Sequence, residues 1–107
     1  MIRSVAAMLA VLCTSAVTTE TVSVRGRGEI ELASFACTDT PRSTVVQRVC
    51  YDAPQHHLLV SVGGAYSEYC RLPAAMFEAF VSAPSMGQFF RHTIAAAKFT
   101  CGDRRTN

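Results

Sequence analysis

The chain has 107 residues, 50% of them hydrophobic and 17% charged, with a formal net charge of +2. That length excludes a second domain of ordinary size, and the charge is too small to mark a nucleic-acid or polyanion binder by composition alone.

Twelve of residues 1–16 are apolar. Met1-Ile2-Arg3-Ser4 supplies one positive charge, Val5 to Cys13 is an unbroken apolar run of nine, and Thr14-Ser15-Ala16 is small and weakly polar. This order matches the three regions of a secretory signal peptide. Nine helical residues span about 13 Å, well short of the ~30 Å hydrocarbon core. No permanent membrane span is therefore expected once residues 1–16 are removed. The remaining chain carries nine Lys/Arg against eight Asp/Glu, a balance of +1.

Removal of the leader also removes Cys13. It leaves Cys37, Cys50, Cys70 and Cys101, an even four. Four cysteines in a secreted chain of this size predict two disulfides and a secreted or periplasmic location. Three pairings are open. No two cysteines lie two to four residues apart, so the usual zinc-knuckle spacing is missing. Neither a metal nor a cofactor is expected.

Thr18 to Val24 reads as an edge strand or a tether. Arg25-Gly26-Arg27-Gly28 reads as a flexible break. Glu29 to Phe35 alternates as a strand, and Thr38-Asp39-Thr40-Pro41 is turn chemistry. Thr44 to Tyr51 is β-branched and aromatic, hence a strand, with Val45, Gln47, Val49 and Tyr51 on one face. Asp52 to Gln55 turns the chain, and His56-His57 reads as a solvated loop end. Leu58 to Val62 is the clearest half-buried strand. Gly63-Gly64 predicts a hairpin turn into Ala65–Arg71. There Tyr66, Glu68 and Cys70 face one way, and Ser67 and Tyr69 the other.

Pro73 opens a helix with Met76, Phe77, Phe80 and Val81 on its apolar stripe. Ala83-Pro84 ends it. Ser85 caps a second helix, with Gln88 three residues on. Phe89, Phe90 and Ile94 form its apolar face. The fold class is α+β: a small antiparallel sheet, built from a β-meander plus a weaker N-terminal strand, followed by two helices packed on one face. In a sequential meander one strand would separate Cys50 from Cys70. Their Cα atoms would lie roughly 9–10 Å apart, which argues against that pair.

From Ser43 onward several short stretches recur in a specific order. They are Ser43-Thr44-Val45-Val46, Val49-Cys50-Tyr51-Asp52, Leu58-Leu59-Val60 with Gly63-Gly64, and Tyr66-Ser67-Glu68-Tyr69. Leu72-Pro73 and Ala83-Pro84-Ser85-Met86-Gly87-Gln88-Phe89-Phe90 complete the set. Together they resemble the KTSC domain, named for its occurrence at the C-terminus of some lysyl-tRNA synthetases. The family centre is commonly Tyr-x-Tyr. Tyr69 fits the second tyrosine, but Ser67 stands in place of the first. The four cysteines and the leader look like a secreted branch. The resemblance implies no defined activity and carries a suggestion of RNA binding. It divides the chain into a signal peptide (1–16), an N-terminal strand and linker (17–42), a KTSC-like domain (43–99) and a C-terminal tail (100–107).

Tyr66 and Tyr69 are candidates for stacking on bases or an aromatic ligand. Arg48 and Arg71, with Arg91 nearby, are candidates for an anion site beside the Ser85 helix. Ser85 and His92 lie seven apart on one helix, about 10 Å along its axis, too far for a nucleophile and its base. No Gly-x-Ser-x-Gly elbow, phosphate loop or carboxylate pair is present. The expectation is a non-enzymatic binding or interaction module stabilised by disulfides, its partner an envelope or extracellular protein. The alternative is a nucleic-acid-binding domain.

Overall fold

The computed structural model describes residues 19–96 and 99–102. The expected leader, and the tail beyond Gly102, lie outside the described residues. The strands are β1 (Thr21–Val24), β2 (Gly28–Glu31), β3 (Ala36–Asp39), β4 (Val46–Asp52), β5 (His57–Val62) and β6 (Ala65–Tyr69). Helix α1 (Ala74–Ser82) follows, then α2 (Met86–Phe89), which runs into a π-helical turn, Phe90–Ile94. The six strands form one sheet in the order β2-β1-β6-β5-β4-β3. All neighbours are antiparallel except β1 and β6, which meet in parallel at Val24 and Tyr66.

The meander β4-β5-β6 and the two helices stand where the sequence puts them. Gly63 and Gly64 both take positive φ, 61° and 83°, which a two-residue hairpin turn of this hand requires. The N-terminal part differs from expectation. A strand at Glu29–Phe35 and an edge strand or tether at Thr18–Val24 were expected there, and three strands are found. Arg25–Arg27 is a tight hairpin turn, closed by Arg27 N donating to Val24 O at 2.9 Å, and not a flexible break. The alternation of Glu29 to Phe35 is cut by a turn in which Phe35 N donates to Leu32 O. Thr38 and Asp39, read as turn residues, pair with Val49 and Arg48 in β3. Long-range pairing overrides local turn preference here.

A bulge between Val46 and Arg48 shifts the register of β4 against β5. It puts Val46, rather than Val45, fully in the core with Val49 and Tyr51. Gln47 is exposed, and its Oε1 accepts from Ser61 Oγ and Gly64 N, pinning the β5–β6 turn. Strand β5 is covered on both faces, not one. Leu58 and Val60 pack beneath the helices with Leu72, Phe80, Met86, Phe90 and Ile94. Leu59 packs on the other face with Val24, Leu32 and Cys50.

Pro73 is the residue just before α1, and its carbonyl accepts from Met76 N and Phe77 N. No basic residue lies in the last turn of α1. Arg42, distant in sequence, donates instead to Val81 O at 2.8 Å and Ala83 O at 3.0 Å. Ser85 caps α2 as expected, its Oγ accepting from Gln88 N. The π turn closes with Ala95 N donating to Phe90 O and keeps Phe90 and Ile94 both in the core. No helix among the described residues is long and apolar enough to cross a membrane.

Candidate functional site

Two disulfides pair the four cysteines as Cys37–Cys50 and Cys70–Cys101. Cys37 lies directly opposite Cys50 across β3 and β4, with Cα atoms 3.9 Å apart. Cys70 directly follows β6 and holds the C-terminal segment through Cys101, with Cα atoms 4.8 Å apart. Chain entropy makes each bridge worth about 3–4 kcal/mol for loops of this length.

The four candidate binding residues do not form one site: Arg48 and Tyr66 meet, at 3.1 Å, while Tyr69 and Arg71 lie apart from them. The two-residue repeat of β6 sends Tyr66 to one face and Tyr69 to the other. Tyr69 meets Phe90 edge to face at 5.7 Å, under the helices. Its phenol is pushed up from its ordinary value by burial. The Tyr66 hydroxyl accepts from Arg48 on the opposite face. Arg48 forms a two-pronged pair with Glu20, at 2.8 and 3.0 Å. That hydrogen bond lowers the Glu20 carboxyl below its ordinary range. Arg48 thus sits on the face away from the helices and does not join Arg71 beside α2. Arg71 lies past the end of β6, where it reaches Thr100 O at 3.5 Å. Arg91 is exposed.

A groove opens instead at the outer edge of β6. Strand β1 touches β6 at Tyr66 and then turns away through Arg25–Arg27. Farther along, the C-terminal segment takes over that edge: Tyr69 bridges to Thr100, and Cys70 N donates to Phe99 O at 2.7 Å. Between these walls lies a cavity of about 770 Å³. Arg25, Gly26 and Arg27 form one wall, Thr100, Cys101 and Gly102 the other, with Ser67, Glu68 and Tyr69 on the floor.

Glu68 organises one side of this groove. Arg27 Nη1 donates to both its carboxylate oxygens at 3.2 Å, and His57 Nε2 lies 2.7 Å from Oε2. His57 is therefore not a solvated loop end. It is half-buried, opens β5, and rests against the Phe35 ring at 5.3 Å. The side chains of His57, Glu68, Cys70 and Cys101 bring their donor atoms within 4.8 Å of one another. In the sequence Arg25 and Arg27 are too few to mark a basic patch and His57 reads as a loop end, and the distance along the chain hides their meeting with Glu68. The available signal was the i, i+2 spacing of Glu68 and Cys70 on one strand face.

A family model, that of the KTSC domain, matches residues 42–99, just over half of the chain. No curated protein and no solved structure matches it. The floor of the groove lies inside the matched region, and both walls lie outside it.

Proposed function

We propose, for a chain that belongs to the KTSC domain family over residues 42–99, a secreted or periplasmic binding module without catalytic chemistry of its own. Its groove at the edge of β6 receives an acidic ligand. One observation carries this reading. Each disulfide ties a segment outside the family match to a residue within it: Cys37 to Cys50 in β4, and Cys101 to Cys70 just after β6. The second bridge holds up one groove wall. Two disulfides fit an oxidising compartment.

The choice of ligand follows from charge. Glu68 is engaged by Arg27 and His57, while Arg25 stands on the rim beside the hydroxyls of Ser67 and Tyr69. A carboxylate placed there meets a guanidinium and neutral donors. Nucleic-acid binding through the tyrosines is the weaker reading. Tyr66 and Tyr69 point to opposite faces, and Tyr69 is spent on Phe90, so they offer no shared stacking platform.

The test is amide chemical-shift mapping of the oxidised chain against tetrapeptides of all-Glu, all-Ser and all-Lys composition. The acidic peptide is expected to shift Arg25, Ser67 and Gly102, with weaker effects in high salt and in Arg25→Ala. Groove shifts that are equal for all three peptides, or absent, overturn the assignment. Salt-dependent binding of single-stranded RNA that is lost in Tyr69→Ala supports the nucleic-acid reading instead.

A further inference from the structure

We infer that the end of the groove is a redox-gated metal site, closed while Cys70–Cys101 is a disulfide and able to hold one Zn²⁺ when it is reduced. The donors are His57, Glu68, Cys70 and Cys101. They come from the start of β5, from β6, from the residue following β6 and from the C-terminal segment. Their ligating atoms lie within 4.8 Å of one another, and all four residues are half-buried. In a tetrahedral zinc site, with bonds of about 2.0–2.3 Å, ligand atoms stand about 3.3–3.8 Å apart. Two pairs are closer than that: the bonded sulfurs, and His57 Nε2 with Glu68 Oε2 at 2.7 Å. Opening the disulfide frees the sulfurs, and an ion seated between His57 and Glu68 replaces their hydrogen bond and spreads the two side chains to the spacing zinc requires.

The donor chemistry suits a borderline-soft ion: two thiolates, an imidazole and a carboxylate. Charge also closes. Two thiolates and one carboxylate bring −3, zinc brings +2, and the Arg27 guanidinium on Glu68 supplies the remaining +1. The His57–Glu68 contact already aims both side chains at one place. The open groove gives the ion and a reductant a way in.

The gating step balances with a dithiol as reductant. One of its thiolates attacks a sulfur of Cys70–Cys101, and its second sulfur closes the reductant's own disulfide. Two electrons and two protons pass to the protein sulfurs. Zinc then displaces both thiol protons to solvent. The inference does not depend on what the groove binds in the oxidised state.

Co²⁺ is the spectroscopic probe. The full chain is titrated with it before and after reduction by a water-soluble phosphine, which becomes the phosphine oxide by taking oxygen from water. The reduced chain is expected to show tetrahedral ligand-field bands and a thiolate-to-metal charge-transfer band, saturating at one equivalent and erased by Zn²⁺. The oxidised chain shows neither. His57→Gln, which removes no cysteine, weakens Co²⁺ binding by the reduced chain on the order of tenfold or more. Cys70→Ser abolishes the tetrahedral spectrum. A reduced chain without tetrahedral Co²⁺ overturns the proposal, and so does a spectrum indifferent to His57→Gln. A reduced chain that unfolds and does not refold with Co²⁺ overturns it as well.

Discussion

His57 Nε2 and Glu68 Oε2 lie 2.7 Å apart, although eleven residues and a hairpin separate them in sequence. The β5–β6 register causes this. Leu59 pairs with Glu68, so His57 and Glu68 occupy diagonal positions on one face of the sheet. The side chain of Glu68 is only 10% exposed, whereas that of its other partner, Arg27, is 39% exposed.

Burial makes the two partners unequal. Glu68→Ala strips half-buried His57 of its partner and is expected to cost about 1–3 kcal/mol. Arg27→Ala breaks an exposed ion pair and is expected to cost less than about 1 kcal/mol. Urea titrations with both disulfides intact measure the two. Equal losses would contradict the burial argument.

Gly87 is needed for space. A Cβ built there would stand 2.9 Å from Val45 Cγ2, and a β-branched side chain has little room to swing away. Gly87→Ala is expected to destabilise the fold by about 1–3 kcal/mol, despite alanine's better helix propensity. The double variant Gly87→Ala with Val45→Ala should recover part of that loss. A neutral single variant would show that α2 shifts freely over β4.

Tyr51 anchors α1 to the sheet. Its hydroxyl donates to Leu72 O at 2.6 Å, and its ring stacks on Phe77 at 4.4 Å. Tyr51→Phe keeps the stacking and removes the bond, leaving a buried carbonyl without that donor. The expected cost is about 1–3 kcal/mol by thermal or urea unfolding.

Burial raises the phenols of both Tyr51 and Tyr69 from the ordinary value of 10.0. The folded chain therefore holds these protons more tightly than the unfolded chain does. Their contribution is intact below pH 10 and is lost as the pH rises through the folded values. Unfolding midpoints should fall on the alkaline side, and less steeply in Tyr69→Phe. An identical alkaline slope in that variant would contradict the assignment.

The legible parts of the fold were the local ones. Leu58–Val62 alternates, Gly63-Gly64 fits only a tight turn, and Ser85 with Gln88 marks a helix start. The N-terminal strands were not legible in the same way. Thr21–Val24, Gly28–Glu31 and Ala36–Asp39 are four residues each and mostly exposed, held by pairing to distant strands and by Cys37–Cys50. The bulge at Gln47 left no mark in the pattern and moved Val46 into the place expected for Val45. The cysteine count pointed to two bridges, and strand order argued against joining Cys50 to Cys70. Which partners they took depended on β3, a strand that reads locally as a turn. The groove was hidden for the same reason. Its walls come from two ends of the chain, and only the sheet brings them to β6.

The two bridges fasten the outer segments to the family domain and hold the groove together. The direct test is non-reducing peptide mapping by mass spectrometry of the chain recovered from the cells that produce it. Peptides joined through Cys37–Cys50 and Cys70–Cys101 are the predicted result. Free thiols at these four positions, or a Cys50–Cys70 linkage, would contradict it.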